Sequence, residues 1–175
     1  MEKVILVDEA DGPLGLEEKM KAHELGLLHR AFSVFVFNSK GELMLQQRAL
    51  DKYHSPGLWT NTCCSHPREN EIVEEAAHRR LMEEMGFDCR LKKAFHFTYR
   101  ADVGQGLTEH EFDHVFFGFT DNHPVINKDE VNSWKYMPME KIKERLDLNP
   151  DEFTIWFRIA FLEVEKRLPE IRSRL

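Results

Sequence analysis

Apolar positions along the chain switch between two periods, and the switches mark its elements. Val4 to Asp8 and Ala31 to Phe37 are short runs rich in β-branched and aromatic residues, which suit strands. Asn38-Ser39-Lys40-Gly41 reads as a turn and Leu43 to Gln47 returns, so the second and third runs are expected to form a hairpin. After a loop carrying Pro56-Gly57 the period changes: Ile72, Val73, Ala76, Ala77, Leu81 and Met85 recur at helical spacing. Asn70 can cap that helix, Glu71 and Glu74 lie in its first turn, and Gly86 stops it. Phe95 to Arg100 and Glu109 to Thr120 read as strands joined across Val103-Gly104-Gln105-Gly106, with a shorter strand from Trp134 to Met137 before Pro138. A last helix is expected from Asn149-Pro150, placing Phe153, Trp156, Phe157 and Ala160 on one face at i, i+3, i+4 and i+7. This alternation predicts an α/β (α+β) fold in which a mixed β-sheet is sandwiched between helices.

Composition narrows the function classes. A chain of 175 residues without internal repeats or Pro/Gly/Ser linkers is expected to form a single catalytic domain over 1–175. With 42% hydrophobic and 31% charged residues it has both a core and a solvated surface, which excludes a disordered tail and a membrane bundle. The net charge of −7 attracts neither nucleic acid nor anionic lipid, so no such partner is expected and a bound phosphate must meet a local cationic pocket. Cys63, Cys64 and Cys89 form neither a disulfide framework nor a CxxC zinc pattern, and no signal-peptide core or membrane span is evident, so a cytoplasmic protein is expected. The ending Ser173-Arg174-Leu175 resembles a peroxisomal address, a match short enough to arise by chance. No GxGxxG fingerprint is present, and no flavin is expected.

Against this background a few residues carry chemistry. Glu109 and Glu111 lie two apart in a strand and so on one face, where two like charges raise each other's pKa unless a cation or strong donors intervene. Such a pair is either solvated or part of a metal site. His23, His29 and His66 have no ligand spacing of their own, but converging with the two glutamates they would form a shell of three nitrogens and two oxygens. That shell suits Mn²⁺, Mg²⁺ or Zn²⁺. Cys63 and Cys64 are adjacent in a strand-like run, so only one can face a pocket. On the helix, Glu71, Arg79, Glu83, Glu84 and Gly86 fall at the spacing of the Nudix box, whose glutamates hold Mg²⁺ against a diphosphate. Ser65 stands where the box has its first glycine, and Arg80 where it has a glutamate. A cation at that position is better suited to holding phosphate than to activating water, which disfavours hydrolysis.

Four blocks occurring in order resemble type I isopentenyl diphosphate isomerases, a Nudix-fold family: Lys19-Met20-Lys21-Ala22-His23 with Leu28-His29-Arg30-Ala31-Phe32-Ser33; Gln47-Arg48-Ala49-Leu50 with Pro56-Gly57-Leu58-Trp59-Thr60-Asn61; Cys64-Ser65-His66-Pro67; and Tyr99-Arg100-Ala101 with Glu109-His110-Glu111. The resemblance runs from about Leu16 through the final helix, and departs mildly at Ser65, where the family commonly has glycine. It implies that His23, His29, His66, Glu109 and Glu111 bind one divalent metal and that Cys64 and Glu111 are the acid–base pair, assisted by Tyr99 and Trp156. Lys19, Arg48, Lys52 and Arg80 would hold the diphosphate, and Glu84 a second Mg²⁺ arriving with it. The implied substrate is a small molecule, isopentenyl or dimethylallyl diphosphate, and the implied assembly a monomer or small homo-oligomer. Two other readings remain open on the residues alone: a Nudix pyrophosphohydrolase acting on a nucleoside diphosphate derivative, and a non-catalytic, metal-stabilised binding domain.

Overall fold

The computed structural model describes residues 1–173; the last two positions of the address-like ending lie outside the described residues. Nine strands and four α-helices follow in the order β1 (Lys3–Val7), β2 (Pro13–Glu18), α1 (Lys19–Leu25), β3 (His29–Phe37), β4 (Leu43–Arg48), β5 (Trp59–Thr60), β6 (Cys63–Ser65), α2 (Val73–Met85), β7 (Leu91–Gly104), β8 (Leu107–Phe119), β9 (Val131–Met137), α3 (Met139–Leu148) and α4 (Ile155–Arg172). The sheet is mixed. β3 and β8 run parallel over nine register pairs from His29↔Glu111 to Phe37↔Phe119, while β7 and β8 form a long antiparallel hairpin.

β3 is apolar on both faces because both are covered. Phe35 and Phe37 join Val115 and Phe117 of β8 against α4, where Phe157, Ala160, Phe161 and Val164 fill the layer. Phe32, Val34 and Val36 turn the other way and pack with Phe116 on Ala76, Ala77, Leu81 and Met85 of α2. The helix spacing read from the sequence therefore maps onto the face of α2 that is buried. Gly86 ends α2 in the left-handed region at φ 69°, and a Cβ there would stand 2.2 Å from the carbonyl oxygen of Val125. Only glycine fits.

Several expectations need correction. The β3–β4 hairpin closes with one register pair, Phe37↔Leu43, after which the strands diverge. β4 pairs instead with β9 and β5, and the flank of β3 is taken by β6. A strand buried on both faces needs partners along both edges: β8 supplies them along one, and on the other β6 pairs with Phe32 to Val34, so the returning chain meets β3 only at Phe37. Asn70 does not cap α2: it adopts φ 62° in the preceding turn, and Ile72 occupies the cap position without a side-chain bond. The last helix begins later than Asn149-Pro150, which open a single 3₁₀ turn; α4 starts after Thr154, and Phe153 bridges Trp59 in extended conformation. The strand β2 and the helices α1 and α3 were not foreseen.

Candidate active site

The site is where the α4-facing layer of the sheet changes from apolar to polar. Along β3 the residues on that face run Phe37, Phe35, Ser33, Ala31, His29; along β8 they run Phe117, Val115, Asp113, Glu111, Glu109. Side-chain alternation thus carries one face from phenylalanine core to a row of buried polar groups. Cys64 lies opposite Ser33 in the β3–β6 ladder and shares its face, whereas Cys63 lies opposite Val34 and is buried against α2. Tyr99 of β7 is directly opposite Glu111, and its hydroxyl donates to Glu111 Oε1 at 2.8 Å. These groups line a cavity of about 670 Å³, with Trp156 from the first turn of α4 in its wall.

At one end, ligand atoms of His23, His29, His66 and Glu109 lie within 4.8 Å of one another. The donor set fits a divalent cation. Nδ1–H of His23 donates to the Lys19 carbonyl at 2.6 Å and Nδ1–H of His29 to the Leu27 carbonyl at 2.8 Å, which leaves Nε2 of His29 as a lone-pair donor and makes Nε2 of His23, 2.9 Å from Glu109 Oε1, one once its proton is lost. His29 Nε2, both ring nitrogens of His66 and Glu109 Oε2 are buried without partners. Helix α1 and the turn after it, closed by Gly26 at φ 63°, bring His23 and His29 together, so the six-residue spacing is bridged by a helix and a turn. Glu111 stands at the edge of this group: its Oε1 is taken by Tyr99, and its Oε2 is 3.8 Å from His66 Nε2.

Burial and pairing set the protonation states. Burial opposes charge on His23, but Glu109, 2.9 Å from its Nε2, and the Lys19 carbonyl outweigh it and raise its pKa. His29 is pulled down to about 4, and His66 well below the usual imidazole range, by burial above all. Burial also works against the charge of Glu109, yet bonds from Glu111, His23 and His54 hold it well below the carboxylate range. Glu111 goes the other way, pushed well up by burial and then by the Glu109 charge. Cys64 is a neutral thiol, its pKa raised by burial against the opposing pull of Arg48.

The four expected diphosphate-binding cations line the same cavity. Lys19 pairs with Glu2 at 3.1 Å, and Arg48 lies 5.3 Å over the Trp156 ring. Lys52 is ion-paired with Glu130, while Arg80 contacts Glu83 and Glu84 at 2.6 Å and Glu130 at 3.5 Å. Nε of Arg48 and of Arg80 are buried donors without partners. Glu84 also accepts from Gln46 Nε2 at 2.9 Å, a bond that fixes it near the cations and apart from the imidazole group.

Glu130, His54 and Asp113 escaped the sequence reading. Glu130 lies in a polar run before β9, and nothing local distinguishes it. His54 sits in an irregular loop. Asp113, in contrast, continues the period of Glu109 and Glu111, a signal that was available. It is buried, accepts from Ser33 Oγ at 2.7 Å, and burial pushes its pKa from an ordinary 3.8 to about 7. A raised carboxyl favours folding fully below its unfolded pKa, and that contribution is lost as pH rises through 7. Asp113→Asn should therefore become more stable relative to the parent from pH 4 to pH 8, by up to about 4 kcal/mol in denaturant melts of the metal-stripped protein. A stability difference that does not vary with pH would count against this.

The comparisons agree with the architecture. Residues 27–157 match the NUDIX domain family, and the chain is a NUDIX-domain protein. Among solved structures of the same fold, a Deinococcus radiodurans protein superposes with TM-score 0.71 at 20% identity, covering 85% of this chain and 90% of that one. The MutT protein from Methanosarcina mazei Go1 superposes with TM-score 0.66 at 18% identity, covering 79% and 94%. Sequence relatives are much nearer: Isopentenyl-diphosphate Delta-isomerase of Pectobacterium atrosepticum is 52% identical over 93% of this chain and 90% of its own. Isopentenyl-diphosphate Delta-isomerase 2 of Aromatoleum aromaticum is 56% identical over 89% of this chain and 82% of its own. The chain belongs to the isopentenyl-diphosphate Delta-isomerase family. Among the described residues no helix is long and apolar enough to cross a membrane.

Proposed function

We propose that the protein interconverts isopentenyl diphosphate and dimethylallyl diphosphate by moving a carbon–carbon double bond. The observation that carries this is one cavity that joins a neutral thiol, a tyrosine-held carboxyl, an aromatic wall and a cationic end. The reaction needs a proton added to an unactivated alkene and a proton removed from the neighbouring carbon, hence two proton-carrying groups. Cys64 and Glu111 are those groups, and Tyr99 orients the carboxyl through its hydrogen bond to Oε1. Protonation gives a tertiary carbocation, which water would trap. Trp156, 4% exposed, excludes water and offers a π-face worth about 0.5–2 kcal/mol to a cation without attacking it.

His23, His29, His66 and Glu109, with Glu111 at their edge, would hold a divalent metal, Mn²⁺, Mg²⁺ or Zn²⁺. When bound it supplies a fixed positive charge that balances the buried carboxylates. Lys19, Arg48, Lys52 and Arg80 bind the diphosphate, and Glu84, beside Arg80, would hold a second Mg²⁺ carried in by the substrate. Arg80 in place of the box glutamate favours retention of the phosphates over their hydrolysis.

Incubation with isopentenyl diphosphate and Mg²⁺ in deuterated water tests the reading. The expected result is deuterium in the carbon skeleton and appearance of the dimethylallyl methyl signals, with both phosphates intact. Release of phosphate without label in carbon would replace it by the pyrophosphohydrolase reading.

A further inference from the structure

We propose that His54 is the positioning residue of the cation site, holding Glu109 by an N–H donor from outside the group of ligands. The inference rests on the metal reading above and adds a residue to it. His54 comes from the loop between β4 and β5 and is 3% exposed. Its Nε2 lies 2.8 Å from Glu109 Oε1, and its Nδ1 lies 3.2 Å from Ser55 Oγ. A carboxylate only accepts, so Nε2 carries the hydrogen and Nδ1 takes the hydroxyl hydrogen of Ser55. The result is a directed chain from Ser55 through His54 to Glu109.

Three features make this a built arrangement. Ser55 adopts φ 49°, a left-handed conformation that serine rarely takes, and so stores strain at the residue supplying the hydroxyl. The His54 ring stacks on His23 at 5.8 Å and meets Tyr53 and Trp156 edge-on at 4.6 and 5.9 Å, which fixes its plane. Its carbonyl accepts from Arg48 at 3.2 Å. His54 is not among the four residues whose ligand atoms converge, and the oxygen it engages leaves Glu109 Oε2 buried and unpaired. A donor in this place orients a metal-binding carboxylate, and it ties the cation group to the aromatic wall and to Arg48.

The test is titration of the metal-stripped full chain with Co²⁺, followed by its visible absorption. His54→Phe keeps the ring and loses the donor; it should weaken Co²⁺ binding about 10–100-fold while the spectrum at saturation keeps the parent's shape. His54→Gln, which retains an N–H of similar reach, should restore affinity to near the parent value. His54→Asn, too short to reach, should not. If His54→Phe gives no cooperative melt, the comparison of the Gln and Asn variants decides. Parent-like affinity in His54→Phe, or equal affinity in the Gln and Asn variants, overturns the proposal. So does an altered spectrum at saturation, which would make His54 itself a ligand. A parent chain that binds no Co²⁺ would instead remove the metal reading on which the proposal stands.

Discussion

Replacing Cys64 with alanine should lower kcat about 10²- to 10⁴-fold, the range a positioned proton donor contributes, while diphosphate binding is retained. The thiol is the one proton-bearing group that β6 presents on the face of Ser33 and Glu111. Its substitution leaves Lys19, Arg48, Lys52 and Arg80 untouched. Glu111→Gln should have a similar effect for a complementary reason. The amide keeps the shape of the carboxyl and can still accept from Tyr99, but it can neither take a proton from carbon nor give one. Cys63→Ala is the control: Cys63 is fully buried against α2, so it should cost stability and leave kcat near the parent value. Turnover is read from methyl signals under saturating substrate, and binding from the ligand-induced rise in Tm. Near-normal kcat in Cys64→Ala or in Glu111→Gln would remove that residue from the acid–base pair.

The contrast between the two cysteines shows what was legible in the sequence. Alternation along a strand is a local property, so the opposite faces of Cys63 and Cys64 and the shared face of Glu109 and Glu111 could be read from position alone. The apolar face of α2 and its glycine stop were legible for the same reason. Strand partners were not. Nothing within Ala31 to Phe37 states that β8 will lie along one edge or that β6 rather than β4 will take most of the other, because those choices are settled in the assembled sheet. The start of α4 was misplaced because Asn149-Pro150 carries a valid local signal that here serves one 3₁₀ turn, after which Phe153 is claimed by the bridge to Trp59.

The site divides along the same line. Its imidazoles and carboxylates were recognised as a set through resemblance, since His23, His29 and His66 have no common spacing; convergence comes from α1, the Gly26 turn and the β3–β6 pairing. His54 and Glu130 belong to loops whose placement depends on the rest of the fold. Glu130 in particular alters the picture of the cationic end. Lys52 and Arg80 both pair with its carboxylate, so under the proposed function an arriving diphosphate would meet cations already spaced and partly neutralised rather than a bare positive patch.

Removing divalent metal should abolish turnover and lower Tm by about 5–10 °C. A ligand present at about 100 times its Kd contributes about 2.7 kcal/mol, and each kcal/mol moves Tm by about 2–4 °C for a chain of this size. Without a cation, the lone pairs of His29 and His66 and the free oxygen of Glu109 are buried with nothing to satisfy them, so the loss adds to the linkage term. The affinity should also depend on pH in a defined direction. His29 and His66 are held neutral by burial and stand ready as ligands well below pH 6.5, whereas the raised pKa of His23 means that a proton occupies its Nε2 first. Binding must expel that proton. Apparent Kd should therefore rise at least about tenfold per pH unit as pH falls below the His23 pKa, and calorimetry in two buffers of different ionisation enthalpy should register proton release near pH 6.5, one proton from His23 and a second from Glu111, whose pKa is also raised, when it coordinates. A Tm indifferent to chelation would show that the four converging groups are satisfied without an ion. A Kd independent of pH would place the proton elsewhere than between His23 and Glu109.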